Sequence, residues 1–165
     1  MLSMRVLSGI VLGAGLLIGA LIVDPAPRFI WNASASVPVG LYWRSQTPPR
    51  RGDIALVQVP EPARTLADQR GYLPATVLLI KPVAALTGDQ ICSQDDTISI
   101  NGDVVARRLA FDSRGNPMPR WTGCRVLDGE VFVLAASVPD SFDGRYFGPV
   151  PAQAVTGTLT PLWTP

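Results

Sequence analysis

One residue in this sequence is chemically alone. Lys81 is the only lysine, placed at the end of the apolar run Val77-Leu78-Leu79-Ile80; the other 13 basic residues are arginine, and histidine is absent. Arginine keeps its proton in any protein environment, whereas a desolvated lysine can lose one and act as a base. A lysine kept where every other basic position is arginine therefore points to a neutral amine. Ser36, in Asn32-Ala33-Ser34-Ala35-Ser36-Val37-Pro38-Val39-Gly40-Leu41-Tyr42, is the nucleophile such a base could serve. Without histidine a Ser-His-Asp arrangement is excluded, and Ser-Lys is the serine chemistry that remains. The alternative is a snorkelling strand-end lysine beside an ordinary loop serine.

These two residues need elements to position them. Thr76 to Leu86 is apolar apart from its first residue and Lys81, which predicts a central strand turned by Thr87-Gly88-Asp89. Ile54 to Val59 and Glu130 to Leu134 read as further strands. Asn101-Gly102-Asp103 between two apolar triplets predicts a type I′ hairpin. One short helix is expected from Ala63 to Arg70, ended by Gly71, and loops over Phe111–Gly123 and Pro139–Arg145. With 16 prolines and 15 glycines, the chain reads as a mainly β domain of short strands and long coils.

Val6 to Val23 carries no charge and as a helix spans roughly 27 Å, close to the thinnest stretch that crosses a bilayer. Arg5 before it favours a cytoplasmic amino terminus and an exported remainder. The organisation is then an anchor and linker over 1–28 and a β-rich domain over 29–165. The rival is a cleaved signal peptide, since Ala33-Ser34-Ala35 has the form of a cleavage site, although twelve residues beyond the apolar run. Gly9 and Gly13 form a GxxxG that decides little. A net charge of +1 with no basic block argues against nucleic acid. Cys92 and Cys124, without histidine, make no ordinary zinc site; in an exported domain they predict one disulfide, with two reduced core cysteines as the alternative. No cofactor or metal ion is called for.

Taken together, these segments resemble the membrane-bound serine-lysine signal peptidases, and within them the TraF-type peptidases of conjugative transfer. Ser36 to Tyr42 is similar to the nucleophile box and Arg51-Gly52-Asp53-Ile54 to the strand entry after it. Leu79-Ile80-Lys81-Pro82 through Asp89 resembles the general-base box, and Asp140-Ser141-Phe142-Asp143-Gly144-Arg145-Tyr146-Phe147-Gly148-Pro149 the last signature box. Arg70-Gly71-Tyr72-Leu73-Pro74, Cys92 and Gly123-Cys124-Arg125 carry the TraF-type likeness. Pro82 and Gly144 depart from housekeeping relatives, many of which carry arginine and serine there.

The resemblance implies Ser36 as nucleophile and Lys81 as general base. It also implies Ser34 and the Ser36 N–H as oxyanion donors, and Ser141 as the hydroxyl that orients the amine. Asp143 matches an aspartate implicated in TraF-type activity. Because a carboxylate beside the ammonium would oppose deprotonation, an ion pair with Arg145 that fixes the loop is the preferred role. The implied protein is an endopeptidase anchored in the inner membrane with its domain on the periplasmic side, maturing a pilin or other exported precursor. The acyl-enzyme has two fates, hydrolysis or attack by an amine that would close the product into a circle, and the residues select neither. The competing functions are a general signal peptidase and a non-enzymatic pilus assembly factor.

Overall fold

The computed structural model describes residues 27–165. The segment Val6 to Val23, the Gly9/Gly13 pair and most of the expected linker lie outside these residues. Among the described residues no helix is long and apolar enough to cross a membrane.

Two antiparallel sheets make up the domain. Its strands are β1 (Phe29–Asn32), β2 (Gly40–Ser45), β3 (Ile54–Val57), β4 (Leu79–Ala85), β5 (Gln90–Gln94) and β6 (Thr97–Ile100). They continue with β7 (Asp103–Arg107), β8 (Gly123–Val126), β9 (Glu130–Val133), β10 (Val150–Pro151) and β11 (Val155–Trp163). The larger sheet runs β1-β2-β11-β3-β4-β9-β10 and the smaller one β7-β6-β5-β8. Helices are short: α1 (Ala63–Gln69), α2 (Gly144–Phe147) and a 3₁₀ turn at Ala152–Ala154.

Strand β4 shows how the sequence dictates the arrangement. Its residues alternate between buried and half-buried, so Leu79, Lys81, Val83 and Ala85 share the inward face. Period-two alternation thus delivers an amine to a face that is otherwise hydrocarbon. Val83 packs with Ala55, Val57, Val131 and Val133 in the main core, while Ile91, Ile98 and Phe132 fill the core shared with the small sheet. Asn101 and Gly102, both at positive φ, turn β6 into β7 as the Asn-Gly pair predicts. Cys92 and Cys124 are directly paired across β5 and β8 and joined by a disulfide.

Some boundaries differ from the sequence reading. The predicted strand Thr76–Leu86 begins only at Leu79, because Val77 N–H closes a turn on the Pro74 carbonyl. The chain becomes β1 at Phe29, where a linker was expected to end, and α2 interrupts the expected loop at Gly144. Strand β11, unread in the sequence, fills the gap between β2 and β3. It lies so close to β2 that a Cβ at Gly40 would stand 2.1 Å from the Trp163 carbonyl oxygen; only glycine fits that seam.

Candidate active site

Ser36 stands in the turn between β1 and β2. Its neighbour Val37 is buried with Tyr42, Leu56 and Leu159, which anchors one side of the turn in hydrocarbon. The Tyr42 hydroxyl donates to the Pro38 carbonyl at 2.6 Å. Asn32, at the end of β1, bonds to both sides of the turn at once. Sequence reading passed over Asn32; its signal was an asparagine two residues before a serine at a strand end, the pattern of a side chain that caps a turn.

Lys81 approaches from β4. Its Nζ donates to Ser141 Oγ at 2.7 Å and to Ser36 Oγ. The lysine is 4% exposed, and among the described residues no carboxylate lies within ion-pair distance of it. Burial is the largest influence on the amine and brings its pKa from 10.5 to about 8. The Asp143 charge pulls the other way, the Arg145 charge pushes further down, and Asp140 adds a smaller upward pull. Snorkelling is excluded, because the amine points inward among its partners.

Asp143 and Arg145 form the ion pair expected between them. Arg145 Nε donates to Asp143 Oδ1 at 2.8 Å, and its Nη1 and Nη2 reach the Pro139 and Ala135 carbonyls at 2.8 and 2.7 Å. Asp143 also accepts the Ala135 N–H at 3.0 Å and the Arg145 N–H at 3.2 Å. Together these bonds hold the 135–145 segment, and with it Ser141, against the core. Gly144 is required by packing here: a Cβ would come within 2.7 Å of the Phe132 ring and the Val133 carbonyl. Glycine is the residue that fits at this position.

Ser34, Ser36, Lys81 and Ser141 line one cleft of about 600 Å³, with Asp140 and Tyr72 at its edge. Asp143 and Arg145 sit behind this cleft, and the Cys92–Cys124 bridge belongs to the other sheet. Tyr72 donates to the Asp112 carboxylate, and that bond, with the Asn116 amide, holds the carboxyl well below the usual carboxylate range. The Arg70–Pro74 segment is thereby docked on the 112–118 loop, with Arg70 also donating to the Pro117 carbonyl at 2.8 Å. Ser34 is not aimed into the cleft as an empty-handed donor: its hydroxyl donates to Asn32 Oδ1 at 2.9 Å.

Chemically, the arrangement offers a hydroxyl against a desolvated amine in a cleft walled by apolar residues such as Val77, Leu78 and Leu79. Among known proteins, the family described as "Signal peptidase, peptidase S26" matches residues 1–163. The plasmid transfer protein TraF of Escherichia coli is 31% identical over 144 residues, 81% of each chain. The conjugal transfer protein TraF of Agrobacterium fabrum is 34% identical over 164 residues, 92% of each. Signal peptidase I V of Bacillus subtilis is 32% identical over 98 residues, 53% of this chain and 58% of that one.

Proposed function

The chain belongs to the S26 signal peptidases, and from that membership we propose that it is a membrane-anchored serine endopeptidase with a Ser36–Lys81 dyad that matures an exported pilin-type precursor in conjugative transfer. The observation that carries the reading is the buried Lys81 amine, bonded to Ser36 and Ser141 hydroxyls and, among the described residues, to no carboxylate. At pH 7 a pKa of about 8 leaves roughly a tenth of the amine neutral, against about 0.03% for an unperturbed lysine. Burial therefore supplies a few-hundredfold gain in active base.

Neutral Lys81 takes the Ser36 proton as Oγ attacks the scissile carbonyl. The tetrahedral oxyanion faces the Ser36 N–H and the Ser34 hydroxyl, donors whose individual loss typically lowers the rate about a hundredfold or more. Collapse breaks the C–N bond; Lys81 returns its proton to the departing amine, and an ester on Ser36 remains. Water, activated by the again neutral Lys81, releases the product, or an amine of the same substrate takes the acyl group and forms a ring. Ser141 holds the amine in line, and the Asp143–Arg145 pair holds Ser141. Val6–Val23 serves as the inner-membrane anchor, with 29–165 on the periplasmic side. The transfer-system role rests on the names of the TraF relatives.

Mass spectrometry of a candidate pilin precursor coexpressed with the wild type and with Ser36→Ala tests this reading. A precursor shortened only by the wild type supports it, and a further loss of one water marks cyclisation. Equal processing by Ser36→Ala would remove the nucleophile assignment.

A further inference from the structure

Two side chains close the turn that carries Ser36, and one of them does most of it. Asn32 is 2% exposed and pairs with Gly40 as the last β1–β2 partners. Its amide nitrogen donates to the carbonyls of Ser34 at 2.8 Å, Val37 at 3.1 Å and Pro38 at 3.0 Å. Its oxygen accepts the Ser34 N–H at 3.1 Å and the Ser34 hydroxyl at 2.9 Å. These contacts lie on both sides of Ser36. A flipped amide would set its oxygen against three carbonyl oxygens, so this orientation is the one that satisfies the group.

We propose that Asn32 is a positioning residue whose carboxamide holds the 33–38 turn closed over the Lys81 amine and keeps the Ser34 hydroxyl parked until an oxyanion forms. The closure is a property of the folded chain, while the parking rests on the serine-lysine reading above. A hydroxyl has one proton, so Ser34 cannot serve Asn32 and an oxyanion together. A charged oxygen draws that proton more strongly than an amide oxygen does. When the hydroxyl turns away, Asn32 Oδ1 still accepts the Ser34 N–H, so no buried acceptor is orphaned. The switch thus favours the transition state over the bound substrate, which is the form of binding that accelerates chemistry.

The charged groups that act on Lys81 are Asp143, Arg145 and Asp140, all from one segment. Residues 33–39 and β3 bring none, so removing Asn32 changes water access to the amine without changing local charge. Because Lys81 is the only lysine, full-length protein labelled with ¹³Cε-lysine in detergent micelles gives one side-chain signal to titrate. Asn32→Ala should move that titration from about 8 upward to about 9. It should also lower kcat on precursor peptide about a hundredfold with KM within about threefold. Ser34→Ala, which leaves the amide's bonds to Val37 and Pro38, should lower kcat with the titration unmoved. An unmoved titration in Asn32→Ala, or an equal movement in Ser34→Ala, overturns the proposal. Should Asn32→Ala not fold, Asn32→Ser, too short to reach Val37 and Pro38, carries the same expectations. Inactive wild-type protein would refute the serine-lysine reading and leave the titration to decide the closure.

Discussion

Lys81 and Arg145 are both cationic side chains sealed from water, 4% and 1% exposed, yet their surroundings could hardly differ more. Arg145 meets a carboxylate and backbone carbonyls and has its charge matched on every side. Lys81 meets two hydroxyls and hydrocarbon. A buried charge is tolerated when paired and expelled as a proton when not. One interior therefore holds one cation whose charge is matched and one whose charge is disfavoured. The arginine's fork suits pairing, and the lysine's amine is the one of the two that can titrate.

The sharpest way to break this contrast is to make both positions permanent cations. Lys81→Arg should lower precursor cleavage by about a thousandfold or more, since no neutral base remains. A cleavage assay showing near wild-type rates would end the general-base assignment. Next in size is Asp143→Asn, which leaves Arg145 charged and unmatched; such losses cost about 3 to 5 kcal/mol, read as a lowered denaturation midpoint. Asp143 raises the Lys81 pKa, so in this variant the ascending limb of the pH–rate profile should move to lower pH or stay put while activity drops with the loosened Ser141 segment. An upward movement of the limb would contradict the sign. The smallest effect concerns stability itself. The folded lysine titrates near 8 and the unfolded one near 10.5, so the unfolded chain binds more protons between these values and stability rises with pH across that window. The full rise is about 3 kcal/mol, and Lys81→Met should abolish it in denaturant titrations. Subtracting the variant's curve removes the contribution of the tyrosines, which both proteins share.

Much of this was legible because it depends on local composition. A lone lysine in an apolar strand needs no partner to be noticed, and the Asn101-Gly102 turn announces itself. The Asp143–Arg145 pair was legible because its members are two residues apart. The unread features were those whose reason lies elsewhere in the chain. Asn32 looks like any polar residue until the turn folds back on it. Gly144 is explained by Phe132 and Val133, and β11, with Pro161 in its run, takes its strand character from partners more than a hundred residues earlier, such as Arg44 donating to the Thr156 carbonyl.

The position of β11 also sets an order in time. It lies between β2, which follows the Ser36 turn, and β3, which pairs with the strand of Lys81, and the Gly40 seam against Trp163 leaves it no slack. For a chain delivered amino end first, the serine and the lysine arrive early but occupy two halves with no shared edge. They become one only when residues 155–163 slot between them.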